Sequence, residues 1–180
     1  MIEKIKEFNE QYVNEGMYKD HQAEKYPRKK MAVVTCMDTR LLTLLPTAMG
    51  IKNGDVIMIK NASGLVVDPY SDSMRSILIS VYELGVERVL VIAHTNCGVE
   101  GLEACHMYSA MNKRGITDET IQKIKTDGID LDNWFTGFTH IEDAVKKSVD
   151  TVAGHPLLPS GIEVRGFVMD TVTGKLTEVE

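Results

Sequence analysis

Cys36, Asp38 and Arg40 stand together in the stretch TCMDTR, residues 35–40, and His94 and Cys97 stand in AHTNCG, residues 93–98. Zinc takes thiolate sulfur and imidazole nitrogen in tetrahedral geometry, and three protein ligands leave the fourth position for water, as in a catalytic site. Read singly, each of these residues is an ordinary buried cysteine or a packed histidine. Asp38 is close enough to Cys36 in the chain to fill the fourth position itself. Arg40, two residues further on, can instead hold that carboxylate in a bidentate pair and keep it as a hydrogen-bond acceptor. The plainer alternative is a surface ion pair in a turn, which is worth little. The third cysteine, Cys105, lies two helical turns past Cys97, too far along to share a metal with it, and is expected to be a small buried hydrophobe. His21, His106, His140 and His155 are candidates for moving a proton by residue type alone.

These residues form a set because of the elements that carry them. MAVVTC (31–36), DVIMIKNAS (55–63) and ERVLVIAHT (87–95) are continuous apolar, β-branched runs, the pattern of strands buried on both faces of a parallel sheet. Between the second and third, Met74, Ile77, Leu78, Val81 and Leu84 follow helical spacing, with Asp72 and Ser73 placed to cap the start and Gly85 to end it. A strand, helix, strand crossover follows. A helix is expected from Gly98 to Lys113, which would put Cys97 at a helix start where unpaired N–H groups favour thiolate. THIEDAVKKSV opens another helix, with Thr139 and Glu142 spaced as a capping box. Residues 115–138 read as a short helix and loop, and GIEVRGFVMDTVTGKLTEVE as a strand and a hairpin return. The fold class is therefore α/β, a largely parallel central sheet flanked by helices with a C-terminal antiparallel strand or hairpin. In such sheets the ligand site lies beyond the carboxyl ends of the strands. Cys36 ends the first run and His94 the third, so both project into that crevice.

The 180 residues suit one domain, residues 1–180. Residues 1–27 form an N-terminal helical arm, in which Ile2, Ile5, Phe8 and Tyr12 make an apolar stripe that its own core or a partner must cover. A net charge of −6 with dispersed basic residues gives no electrostatic footprint for nucleic acid. No leader opens the chain and no apolar run is long enough for a bilayer, so the protein is expected to be cytoplasmic, without membrane partners. An odd cysteine count fits reduced thiols, free to bind metal, better than a disulfide framework. Two further classes are excluded by spacing: a cysteine phosphatase needs arginine six positions after its cysteine, where Leu42 stands, and no G-x-G-x-x-G follows the first strand.

CMDTRL with HTNCG resembles the β-class carbonic anhydrases, whose signature is C-x-D-x-R followed by H-x-x-C. LLPTAMGIKNGDVIMIKNASG, RSILISVYELGVERVLVIAHTNCG and GFVMDTVTGKL extend the resemblance over most of Met31 to Leu176, as in the compact, short members of that class. The resemblance implies one zinc per chain bound by Cys36, His94 and Cys97, with Asp38 and Arg40 as the catalytic dyad that gates and orients the fourth ligand. It implies reversible hydration of carbon dioxide to bicarbonate by a zinc-bound hydroxide, and a homodimer or higher homo-oligomer in which the N-terminal helix packs on the neighbour. Two thiolates leave zinc formally neutral, so activity is expected to rise toward alkaline pH. Two positions depart from the family pattern: Ser63 stands where glycine is usual in the Asn-Ala-Gly loop, and Asn96 where aspartate or serine is frequent. The alternatives are hydrolysis of carbon disulfide or carbonyl sulfide on the same zinc site, and a non-catalytic zinc-binding oligomeric scaffold in which Asp38 stays on the metal.

Overall fold

The computed structural model describes Met1 to Glu180 and contains five strands: β1 (Met31–Cys36), β2 (Ile57–Asn61), β3 (Arg88–His94), β4 (Glu163–Met169) and β5 (Leu176–Val179). They form one sheet in the order β2-β1-β3-β4-β5. The first four run parallel, and β5 returns antiparallel to β4 through the expected hairpin. The three apolar runs are thus strands, and the two central ones are almost wholly buried. Ala32 and Val34 of β1 pack with Val89 of β3 toward one face, while Val33, Leu90 and Ile92 pack toward the other. Both faces being covered explains why β1 and β3 are hydrophobic without alternation.

The helices are α1 (Ile2–Asn14), α2 (Leu41–Ala48), α3 (Asp72–Leu84), α4 (Ala104–Asn112), α5 (Asp118–Thr126), α6 (Leu131–Phe135) and α7 (Ile141–Ala153). Met74 and Ile77 of α3 and Val152 of α7 close one face of the sheet, and Leu41 and Leu45 of α2 close part of the other. α3 ends as expected at Gly85, whose φ of +68° terminates the helix and lets the following Val86 N–H reach Ser80 O at 3.1 Å. Its cap is Ser71, not Asp72 or Ser73: the Ser71 hydroxyl accepts from Met74 N at 3.3 Å. α2, which carries Pro46, is not among the elements that the sequence pattern predicts. Leu41 and Leu45, one turn apart, bury fully and hold that turn in place.

Three expectations are corrected. The capping box at α7 does not form, since the helix starts at Ile141 and leaves His140 at the cap, with Thr139 one residue too early. The helix expected from Gly98 begins at Ala104, so Cys97 lies in a turn and no helix dipole acts on it; Gly101 N to Phe138 O and Gly137 N to Leu102 O, both 2.8 Å, tie this segment to residues 137–138. Cys105 is exposed and hydrogen bonds to Glu103, because α4 turns that side outward. No residue of α1 is buried, and Ile2, Ile5 and Phe8 are all exposed, so the stripe of the arm is not covered by its own chain. No helix is long and apolar enough to cross a membrane.

Candidate metal centre

β1 ends at Cys36 and β3 at His94, on adjacent strands, and three residues after His94 the chain turns back with Cys97. Their ligand atoms lie within 4.8 Å of one another, all three residues buried, and the two sulfurs are 4.0 Å apart. The residues that spacing singled out are therefore brought together at the carboxyl end of the sheet. His94 Nδ1 donates to the carbonyl of Thr95 at 2.9 Å, which leaves the lone pair on Nε2. Nε2 is buried and has no hydrogen-bond partner. A buried nitrogen without a partner costs free energy, and a cation between it and the two sulfurs would remove that cost.

The protons of the set are biased. Burial raises the Cys36 thiol, but the facing His94 imidazole and the backbone N–H groups of Asp38 and Ser63 outweigh it and lower the thiol to about 7. Burial pushes the Cys97 thiol up, and the charge of Cys36 adds to this against the N–H of Val99. Burial works against protonation of His94, yet the neighbouring Cys36 sulfur and the hydrogen bond to the Thr95 carbonyl raise its pKa. Cys36 is thus only partly ionised near pH 7, and binding a metal through both sulfurs must draw protons from Cys36 and, more so, from Cys97.

Asp38 and Arg40 form the pair that the sequence suggested. Arg40 Nε donates to Oδ1 at 2.9 Å and an Nη to Oδ2 at 2.7 Å, and the Arg40 backbone N–H also reaches Oδ1. These hydrogen bonds hold the Asp38 carboxyl well below the usual carboxylate range. The same guanidinium donates to Asn96 O at 2.9 Å and to Thr171 Oγ1 at 3.5 Å, which ties β1, the His94–Cys97 turn and the end of β4 into one frame. Asp38 Oδ2 stands 3.9 Å from His94 Nε2. It faces the position the three ligands surround while both its oxygens are engaged by arginine.

Behind the sulfurs the chain from Asn61 to Gly64 makes a tight turn. Asn61 Oδ1 accepts from Gly64 N at 2.8 Å, its Nδ2 donates to Leu65 O and Ser73 Oγ, and its carbonyl accepts from Met37 N. Gly64 has φ +75°, and a Cβ there would stand 2.5 Å from Cys36 N, so only glycine lets the turn lie flat against the end of β1. Beyond this turn is a cavity of about 390 Å³ with Ser63, Leu65, Val66, Val99 and Phe138 on its inner side. His140, Asp143 and Lys147 lie on its polar rim.

Of the four remaining histidines, His155 is buried with Nδ1 accepting from Leu157 N, a packing role, while His21, His106 and His140 are exposed. Glu103, Cys105 and His106 form a second, fully exposed group of donors at the start of α4. The resemblance points to the loop from Asn61 to Gly64, but not to the hydrogen bonds by which the Asn61 side chain ties that loop to Leu65 and Ser73.

A sheet of this order, with Cys, Asp-x-Arg and His-x-x-Cys gathered at the carboxyl ends of β1 and β3, is the arrangement of the β-class carbonic anhydrases, and the carbonic anhydrase family model matches residues 31–176. The chain belongs to that family. YtiB of Bacillus subtilis strain 168, which carries a provisional carbonic anhydrase name, is 46% identical over 176 residues, covering 98% of this chain and 94% of its own. The crystal structure of β-carbonic anhydrase isoform I from Trichomonas vaginalis superposes with a TM-score of 0.87 at 33% identity, covering 99% of this chain and 97% of that one. A carbon disulfide hydrolase of Acidithiobacillus thiooxidans is also similar, 28% identical over 169 residues, covering 82% of this chain and 76% of its own.

Proposed function

We infer that the protein binds one zinc ion per chain through Cys36, His94 and Cys97 and catalyses the reversible hydration of carbon dioxide to bicarbonate. The observation that carries this is the spacing of the donors. Two Zn–S bonds of about 2.3 Å at the tetrahedral angle put the sulfurs about 3.8 Å apart, and here they are 4.0 Å apart beside an unpartnered imidazole nitrogen. Zinc bound there supplies a hydroxide nucleophile near neutral pH by acidifying water.

The chain's own residues orient that chemistry. Asp38 acts as the acceptor: each carboxylate oxygen has two lone-pair directions, so pairing with Arg40 leaves capacity to accept from the nucleophile. Accepting that proton's hydrogen bond turns the nucleophile's remaining lone pair toward the substrate carbon. Arg40 is a positioning residue. Its two bonds hold Asp38 off the metal position and keep it ionised, which supports an open site over the permanently closed scaffold. The apolar inner wall of Leu65, Val66, Val99 and Phe138 suits a small uncharged gas better than an ion.

The exposed stripe of α1, Ile2, Ile5 and Phe8, supports a homodimer or larger homo-oligomer in which this arm lies on a neighbouring copy. Free thiols and the absence of a membrane-crossing helix fit a cytoplasmic setting.

Parallel assays separate the two enzymatic readings. Zinc-loaded protein is mixed in a stopped-flow instrument with carbon dioxide and, separately, with carbon disulfide. Hydration with no sulfide release supports the proposal; sulfide release without hydration assigns the chain to the hydrolase reaction of its Acidithiobacillus relative.

A further inference from the structure

Two buried side-chain atoms lack a hydrogen-bond partner, His94 Nε2 and His155 Nε2. The metal centre accounts for the first. The second lies elsewhere, on a residue that is 4% exposed and follows the end of α7. His155 Nδ1 accepts from Leu157 N at 3.1 Å, so the neutral ring carries its proton on Nε2. That N–H is a buried donor with nothing to receive it, and such groups are rare enough to require a cause. The Tyr70 ring stands against the imidazole, centroids 5.7 Å apart and planes at 69°. It offers the N–H at best a contact with its π face, weaker than a bond to oxygen.

His155 forms part of one wall of a cavity of about 310 Å³, and the outer side of α3 forms the facing wall. Ser71, Arg75 and Ile79 follow one another at four-residue steps and so share that side. Arg75 is exposed, and its guanidinium pairs with no carboxylate and bonds to no other group of the chain. The Ser71 hydroxyl accepts from Met74 N and its own proton is uncommitted. Leu78, Ile79 and Leu157 supply apolar surface, and no acidic residue lines the cavity although the chain carries a net charge of −6. Tyr70, also on the wall, is 80% exposed and its hydroxyl bonds to nothing, so its ring can turn outward and admit an acceptor to His155 Nε2.

We propose that this cavity binds a small organic carboxylate, which accepts from His155 Nε2 and from the Arg75 guanidinium while a short apolar tail covers Leu78, Ile79 and Leu157. The wall offers donors and one positive charge but no negative charge, which suits an anion and excludes a cation. A carboxylate has an oxygen for each donor, and its tail gives the apolar side something to cover, as an inorganic anion does not. The site shares no residue with the metal centre, so it stands or falls independently of the reading of that centre.

Butyrate and its neutral isostere butyramide are the probes, titrated into the full-length protein labelled with ¹⁵N and followed by NMR at the imidazole nitrogens. The His155 signals are identified by their loss in His155→Asn, which keeps an acceptor for Leu157 N and lacks the Nε2 donor. Saturable shifts of the His155 Nε2 signal by butyrate are expected, with butyramide at least about 10-fold weaker, the range of one charge-assisted hydrogen bond. Arg75→Gln, on an exposed position that the fold does not depend on, should weaken butyrate by about 10-fold or more and leave butyramide unchanged. Equal affinity for the two probes overturns the proposal, because the cavity would then take apolar groups alone. So does butyrate binding that leaves His155 unmoved and is indifferent to Arg75→Gln, the result expected of a carboxylate held at the metal centre. Sedimentation covers the remaining source of a carboxylate: if butyrate fails to bind and Arg75→Gln sediments as a smaller species than wild type, the cavity is filled by an acidic group of a neighbouring copy and the assignment to a small acid is wrong.

Discussion

Replacing Gly64 by alanine is the sharpest structural test of how the metal centre is held. The added Cβ would stand 2.5 Å from Cys36 N, 2.8 Å from Thr35 C and 3.0 Å from Ile92 O, and all three are backbone atoms at the ends of β1 and β3. None can rotate away, so the 61–64 turn must lift by roughly 0.5–1 Å or the two ligand-bearing strands must part. Overpacking of this kind costs about 1–3 kcal/mol, and alanine at φ +75° adds about 1–2 kcal/mol. In a chain of this length each kcal/mol moves Tm by about 2–4 °C, so a fall of about 4–20 °C is expected. Gly85→Ala is the control, since its φ is +68° but nothing lies within 4 Å of the new Cβ. It carries the strain alone and should fall by about 2–8 °C. Both are read by circular dichroism melts and by metal content per chain. Gly64→Ala should also bind less than one equivalent, because moving Cys36 N displaces the sulfur. Equal melting points and equal metal content in the two variants would refute the reasoning.

Asp38→Asn keeps the shape of the side chain but removes its charge; turnover in stopped-flow hydration should fall at least about 100-fold with metal content unchanged. The pH dependence of stability follows from the same pair. Arg40 lowers the folded-state pKa of Asp38 below its unfolded value near 3.9. The pair therefore stabilises the fold above about pH 4 and loses that contribution as pH falls further. Arg40→Ala should lose less stability than wild type between pH 5 and pH 3, measured as urea midpoints. Metal affinity should weaken by roughly 10²–10³-fold from pH 8 to pH 6, since Cys36 titrates near 7 and the Cys97 thiol is raised, so both must shed protons to bind. Competition with a chelator at the two pH values measures this.

The strands and the grouping of Cys36, His94 and Cys97 were legible because both follow rules that act locally. An unbroken run such as Met31–Cys36 must be buried on both faces, and the residue ending it must emerge at the sheet's carboxyl edge, which places Cys36 beside His94 before any contact is known. The errors fall where tertiary contacts override local signals. α2 contains a proline and is fixed by burial of Leu41 and Leu45, which spacing alone does not weigh against Pro46. The turn from Gly98 to Glu103 interrupts an apparently helical stretch because it is bonded to Gly137 and Phe138, nearly forty residues later in the chain. That contact also takes Cys97 off a helix start and leaves Cys105 outside. The Asn61 to Gly64 loop was legible from the resemblance, but its tie to Met37 was not, because that contact exists only once β2 has paired with β1.

The central claim is that a metal held by Cys36, His94 and Cys97 drives hydration of carbon dioxide. It is tested most directly by measuring zinc per chain and hydration rate on one preparation, before chelation, after it, and after zinc is restored. One zinc per chain, a rate that rises with pH, its loss on removal and its return with zinc are the predicted results. Hydration that persists in fully metal-free protein would contradict the account.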